Sequence, residues 1–169
     1  MNNVKWEFTD GEVDMNLINS VEEKLGFVFP MDYKECVKVN QGGNPVADLF
    51  DVSGIERVFG TLLKINQPDS PSDIVNKYQN LKKMLPKKII PIANDPAGNL
   101  ICFDYKGHEE SPVVVFWEHE GAWEKEMLME EEGLSEEQAE QKARENVFFV
   151  ADTFTDFLNS LYEDDEDDF

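Results

Sequence analysis

The sequence is poor in the residue types on which most site chemistry is built: it has two cysteines, two histidines and no long apolar run. With Cys36 and Cys102 alone, neither a disulfide framework nor a multi-cysteine zinc site can be assembled, and there is no C-x-x-C pair. Both lie in apolar segments, where cysteine behaves as a small buried hydrophobe. They are expected to be free thiols in a reducing compartment, which places the protein in the cytoplasm. His108 and His119 lack the spacing of paired ligands on one helix face, so neither a metal nor a cofactor is expected. No stretch approaches the roughly eighteen apolar residues of a membrane span. The opening MNNVKWEFTDGE has no basic region followed by an apolar run, so no secretory leader is expected.

Positive charge is also scarce. Fifteen Lys and Arg stand against thirty-six Asp and Glu, a formal charge of −21. No basic run of any length interrupts this, which disfavours direct binding to nucleic acid and to anionic membrane surfaces. A charge of this size keeps the chain soluble, and it steers basic partners towards it. Solubility alone and recruitment of a basic partner are both readings of the same number.

What is present is globular. With 41% hydrophobic residues and 11% aromatics in 169 residues, the chain can bury about 70% of its extended surface, enough for one unstapled core. One domain is expected over residues 1–162. An acidic tail follows over 163–169, where the consecutive acids Glu163 to Asp168 repel one another and are expected to be disordered.

Periodicity places the elements. Trp6 and Phe8 share one face of a first strand over Val4–Phe8. Asp14 caps a helix whose stripe is Leu17, Ile18, Val21 and Leu25, stapled by Val13 and closed by Gly26. Pro30 suits the first turn of a second helix with Tyr33, Cys36 and Val37 on its apolar side, and Gln41, Gly42 and Gly43 stop it. Residues 44–61 read as loop with short strands near Leu49–Val52 and Phe59–Ile65. Ser70, Pro71 and Asp73 form a helix start for the stripe Ile74, Tyr78, Leu81 and Leu85, ended by Pro86. Ile89–Ala93, Leu100–Tyr105 and Val113–Trp117 are β-prone runs joined too briefly for parallel crossovers, hence an antiparallel meander. A capping box at Ser135 and Gln138 opens a shallow helix with Ala139 and Ala143 inward. Val147–Ala151 reads as strand or bend, and Asp152 caps a last helix with Phe154, Phe157, Leu158 and Leu161 facing the core.

The ordered segments LGFVFPMDYKECVKVNQGG, IIPIANDPAGNLICFDY, SPVVVFWEHE and FVADTFTDFLNSL resemble the SUKH superfamily. That superfamily includes fungal cell-wall-assembly regulators and bacterial immunity proteins of polymorphic toxin systems. On the matching positions, Leu25, Phe29, Pro30 and Tyr33 fall in a first helical hairpin, ahead of the Gly42–Gly43 turn. Ile92, Gly98, Asn99 and Asp104 fall in the central strand pair, Val114, Trp117 and His119 in the next strand, and Phe154, Phe157 and Leu158 in the terminal helix. The resemblance implies an α+β fold in a single domain, an antiparallel sheet of about four to six strands flanked by helices. It also implies binding of another protein, typically a toxin domain, rather than catalysis. The chain departs from the pattern in an acidic insertion between His119 and Asn146 and in residues 44–88.

Three functions are weighed. The first is an immunity protein that blocks a basic toxin, for instance a nuclease. The second is a regulatory or scaffold module for a cellular protein, and the third an enzyme built on carboxylates. For the third, Asp95 and Asp104 flank a hairpin and would form a glycosidase-like pair, but Asp95 is more simply an Asx-turn residue. Ser111 and Ser135 lack a nucleophile elbow. For the first two, the partner-binding candidates are Trp117, Glu118, His119, Glu120, Trp123, Glu124 and Glu126, where large amphipathic rings alternate with carboxylates. Trp117 has two readings, core residue or interface anchor. Trp123, with only Met127 as an apolar companion, is the better exposed anchor.

Overall fold

Gly43 shows how tightly the front of the molecule closes: a Cβ there would lie 2.8 Å from Thr9 Cγ2 and 2.9 Å from the Asn40 carbonyl. The computed structural model describes residues 4–164, so residues 165–169 of the expected acidic tail lie outside the described residues. The first strand is short, β1 (Trp6–Glu7). Phe8 does not continue it: its φ of 59° is left-handed and its ring is exposed, so Trp6 alone turns inward, against Phe59.

Helix α1 (Met15–Leu25) is capped as expected, with the Asp14 carboxylate accepting from Asn16 N–H, and closes on left-handed Gly26. Its buried stripe is Ile18, Val21 and Leu25; Leu17 lies about 100° round the helix from Ile18, at the edge of that stripe, and is exposed. In α2 (Met31–Asn40), Pro30 occupies the N-cap itself, one position earlier than a first-turn proline. Asp32 accepts from the backbone N–H and hydroxyl of Thr155 (3.0 and 2.8 Å). The Lys34 ammonium donates to Asn19 and Glu22, tying the two helices together.

Strand β2 (Asn44–Pro45) pairs with β1, and β3 (Leu49–Val52) forms a hairpin with β4 (Ile55–Val58) through left-handed Ser53 and Gly54. The sequence pattern missed β4, and the strand expected over Phe59–Ile65 shrinks to β5 (Thr61–Leu62). Helix α3 (Ile74–Leu81) starts on Asp73, not Ser70: one Asp73 oxygen accepts from Asn76 N–H and the other from Gln67 N–H, while Ser70 Oγ serves only Ser72. Leu85 lies beyond the helix but stays buried.

Then comes the antiparallel sheet: β6 (Ile89–Asn94), β7 (Leu100–Asp104), β8 (Val113–Trp117), two helices α4 (Lys125–Glu131) and α5 (Glu136–Arg144), and β9 (Val147–Ala151). The strand order is β5-β6-β7-β8-β9, every neighbour antiparallel. Helix α6 (Phe154–Asn159) follows, capped by Thr153 rather than Asp152. The fold is α+β in one domain.

Alternation along the strands sends Ile90, Ile101, Phe103, Val114 and Phe116 into a large core beneath α1, α2 and α6, with Tyr33 edge-on to Phe29, Phe103 and Phe154. The opposite residues, Ile89, Leu100, Cys102, Val115 and Trp117, meet Leu85 in a second, smaller core. The sheet is therefore covered on both faces. No described helix is long and apolar enough to cross a membrane.

Candidate functional site

The segment leaving β8 holds the partner-binding candidates, and its shape is set by residues distant in sequence. Asn146 is the staple: its carbonyl accepts from Glu118 N–H (2.9 Å), and its amide donates to the carbonyls of Glu118 (2.8 Å) and Glu120 (3.0 Å). The Glu118 carboxylate lies 3.7 Å from the Arg57 guanidinium, which itself sits 4.8 Å over the Phe116 ring. Neither Asn146 nor Arg57 carries a local signal, since each acts across the topology of the sheet.

Trp117 resolves to its core reading. It is 1% exposed, packed among Leu85, Leu100 and Val115, and so is not available to a partner. Its indole N–H has no acceptor among the described residues, and a buried donor left so costs about 1–3 kcal/mol. His119 is exposed, but its ring is tied to the turn between β6 and β7. Its backbone N–H donates to Asn99 Oδ1 (3.0 Å) and its Nε2 bonds the Ala97 carbonyl (2.7 Å). A Cβ on Gly98 would stand 3.2 Å from that ring nitrogen. Asp95 completes the turn by accepting from Ala97 N–H, Asn99 N–H and the Asn99 amide (2.9, 2.7 and 2.9 Å). This is the Asx role, and it occupies both oxygens. Asp104 sits at the other end of β7 from that turn, so the two do not form a carboxylate pair.

Trp123 behaves differently. Past the Gly121 turn the residue is 57% exposed. It lines a cavity of about 270 Å³ together with Glu118, Glu120, Asn146, Lys142 and Glu145, floored by Leu128 and Phe148. Three candidates, Glu118, Glu120 and Trp123, are thus brought to one concavity. Glu124 stands at the N-cap of α4, where its side chain makes no capping bond, and Glu126 follows in the first turn of that helix.

The acidic insertion that carries these residues is firmly attached. Ser135 and Gln138 form the expected reciprocal capping box, and Ala139 and Ala143 are buried, deeper than a shallow surface helix. Arg144 grips Asp104 with two bonds (2.6 and 3.2 Å) and donates to the Lys87 carbonyl (2.9 Å). Lys125 and Glu140 pair at 3.2 Å between α4 and α5.

The thiols sit apart from this site. Burial pushes Cys36 up to about 12 and raises Cys102 well above the ordinary thiol range, so both are held as thiols and are poor nucleophiles. Among the described residues no group of three or more His, Cys, Asp or Glu comes together to hold a metal.

The SMI1 / KNR4 family (SUKH-1) model matches residues 12–160, from the cap of α1 through the end of α6. The chain belongs to this family. The matched span includes both residues 44–88 and the acidic insertion, the two stretches that had set the sequence apart from the pattern. No curated protein matches the chain. In this SUKH-1 protein the motif residues Leu25, Phe29, Tyr33, Ile92, Phe154, Phe157 and Leu158 are all core. Gly42, Gly43, Gly98 and Asn99 shape turns, and Asp104 anchors α5. The motif therefore accounts for the fold, while the exposed candidates lie largely outside it.

Proposed function

We propose that this SUKH-1 protein is a non-catalytic binding module of the immunity type, which neutralises a basic partner such as a nuclease toxin domain by covering it. The carrying observation is Trp123, an exposed indole on the rim of a cavity whose walls include Glu118 and Glu120. Exposed aromatic anchors ringed by charge are the usual source of binding energy, and peripheral carboxylates act chiefly on encounter. The insertion adds eleven acids and three cations between Glu118 and Glu145, so the field around the anchor is negative.

The two contributions separate in binding kinetics against a purified basic nuclease toxin domain. Glu120→Lys with Glu124→Lys should slow association and flatten its dependence on salt between about 50 and about 500 mM. Trp123→Ala should instead speed dissociation, weakening affinity by about 2 kcal/mol, roughly thirtyfold. Unchanged dissociation for the folded Trp123→Ala protein, or association indifferent to salt, removes the corresponding half of the reading.

A further inference from the structure

The charge of this chain is not evenly spread. Residues 74–94 contain five lysines (Lys77, Lys82, Lys83, Lys87 and Lys88) and no acid, in a chain where acids outnumber bases by thirty-six to fifteen. This runs against the expectation that the protein presents no basic patch. The stretch spans α3 and the turn into β6, and Lys82 closes that helix.

Folding gathers three of these lysines, Lys82, Lys83 and Lys87, around a groove of about 330 Å³. Its floor is apolar, formed by the half-buried Tyr78 ring and the buried Leu85 and Pro86. Its rim carries Lys82, Lys83 and Lys87 from one side and Lys125 from α4, with a single carboxylate, Glu126. Two of these cations are already engaged: Lys87 with Glu136 at 3.1 Å and Lys125 with Glu140 at 3.2 Å. Lys82 and Lys83 are exposed and have no ion-pair partner among the described residues. The Lys83 carbonyl accepts from Lys125 N–H (3.1 Å), so the backbone under the rim is held in place.

We propose that this groove docks an acidic peptide segment carrying one large apolar residue. The apolar side chain would lie on Tyr78, Leu85 and Pro86, and flanking carboxylates would pair with Lys82 and Lys83. Local charge decides the matter despite the −21 total, because at physiological salt charges beyond about 8 Å are largely screened. Glu136 and Glu140 already face lysines, which leaves Glu126 as the one carboxylate on the rim against Lys82 and Lys83. Nucleic acid fits less well: a duplex presents one charge per roughly 1.7 Å, which two free lysines cannot match before the strand meets the acidic insertion. The floor would also go unused. This surface is separate from the Trp123 cavity, and the proposal stands or falls without it.

The test is fluorescence anisotropy on the full chain with a labelled heptapeptide of six acidic residues around a central phenylalanine. Companion probes are the same peptide with a central serine and a single-stranded DNA 12-mer. Saturable binding of the phenylalanine peptide below about 1 mM is expected, weakened about tenfold by Lys82→Gln with Lys83→Gln. The control pair Lys24→Gln with Lys106→Gln, exposed cations elsewhere, should leave it unchanged. Neutral substitutions at exposed positions keep the fold, which a melt of each variant verifies. No saturation, equal weakening by both pairs, equal binding of the serine peptide, or tighter binding of the DNA at this groove would each overturn the proposal.

Discussion

Removing Arg144 should detach the acidic insertion without unfolding the sheet, and the geometry sets how much that costs. The guanidinium makes two bonds to Asp104 at 2.6 and 3.2 Å and one to the Lys87 carbonyl, with side chains only 20% and 12% exposed. At about 4 Å and an effective dielectric near 20, the gross attraction is about 4 kcal/mol, reduced by the desolvation of both groups. An exposed pair would be worth about 0–1 kcal/mol and a fully buried pair broken on one side about 3–5. This bidentate, mostly buried pair belongs between them, at about 2–3 kcal/mol, or roughly 5–10 °C in melting temperature for a chain of this length. Asp104→Asn should cost more than Arg144→Met, because it strands a cation whose Nε has no partner among the described residues, whereas Asp104 keeps the Lys106 N–H at 3.0 Å. Urea melts of both single variants and the double variant close a cycle. A coupling of at least about 1.5 kcal/mol is expected; below about 0.5 the pair behaves as an exposed contact, and the idea that it anchors α5 is wrong.

Three further outcomes follow from individual contacts. Gly43→Ala should destabilise by about 2 kcal/mol, since its Cβ would meet the Asn40 carbonyl at 2.9 Å, backbone that cannot swing aside; a melt unchanged within error refutes that closeness. Trp117→Phe should cost less than about 1 kcal/mol because the lost area is offset by removing an unpaired buried donor, whereas Trp117→Ala should cost about 3–5 kcal/mol. Stability should fall as pH rises above about 9: half-buried Cys36 and buried Cys102, Tyr33 and Tyr105 hold their protons more tightly than in the unfolded chain, so the unfolded state ionises first. For Cys36 the contribution is about 2 kcal/mol by about pH 10.5, so in urea melts the fall between about pH 8 and that pH should be smaller by this amount in Cys36→Ala, the share of the other three groups remaining.

How much of this was readable from the residues alone depended on whether the deciding interaction was local. The meander β6 to β8 was legible because Asn94 to Asn99 concentrate turn chemistry between β-branched runs. The Ser135–Gln138 box was legible because both halves lie within one turn. Where several caps stood in a row the choice was tertiary: Asp73 prevails over Ser70 because its second oxygen reaches Gln67 N–H and its backbone bridges to Lys64. Strand β4 was missed since Ile55 to Val58 bury little and are ordered by pairing with β3. Helix α4 was missed since only Leu128 is buried. In the candidate site, Trp123 was legible as an aromatic without companions. Trp117 needed the second core to decide it, and Arg57 and Asn146 arrive only through strand order.

The two charged surfaces also explain how a chain at −21 holds an acidic helical insertion against its own sheet. The insertion does not float on repulsion. It lies over the one long segment free of acids, and two of its carboxylates meet that segment: Glu136 pairs with the exposed Lys87 ammonium, and Glu140 accepts from the Lys87 backbone N–H at 2.6 Å while also pairing with Lys125 of α4. Each exposed pair contributes little alone. Together with the Arg144 grip they place cations under the insertion and leave Glu120, Glu124 and Glu126 facing outward without ion-pair partners among the described residues. The separation of charge that steadies α5 is therefore the same one that leaves the outer face of the insertion around α4 negative. A substitution that adds a cation to that face should trade encounter rate for little or no gain in stability.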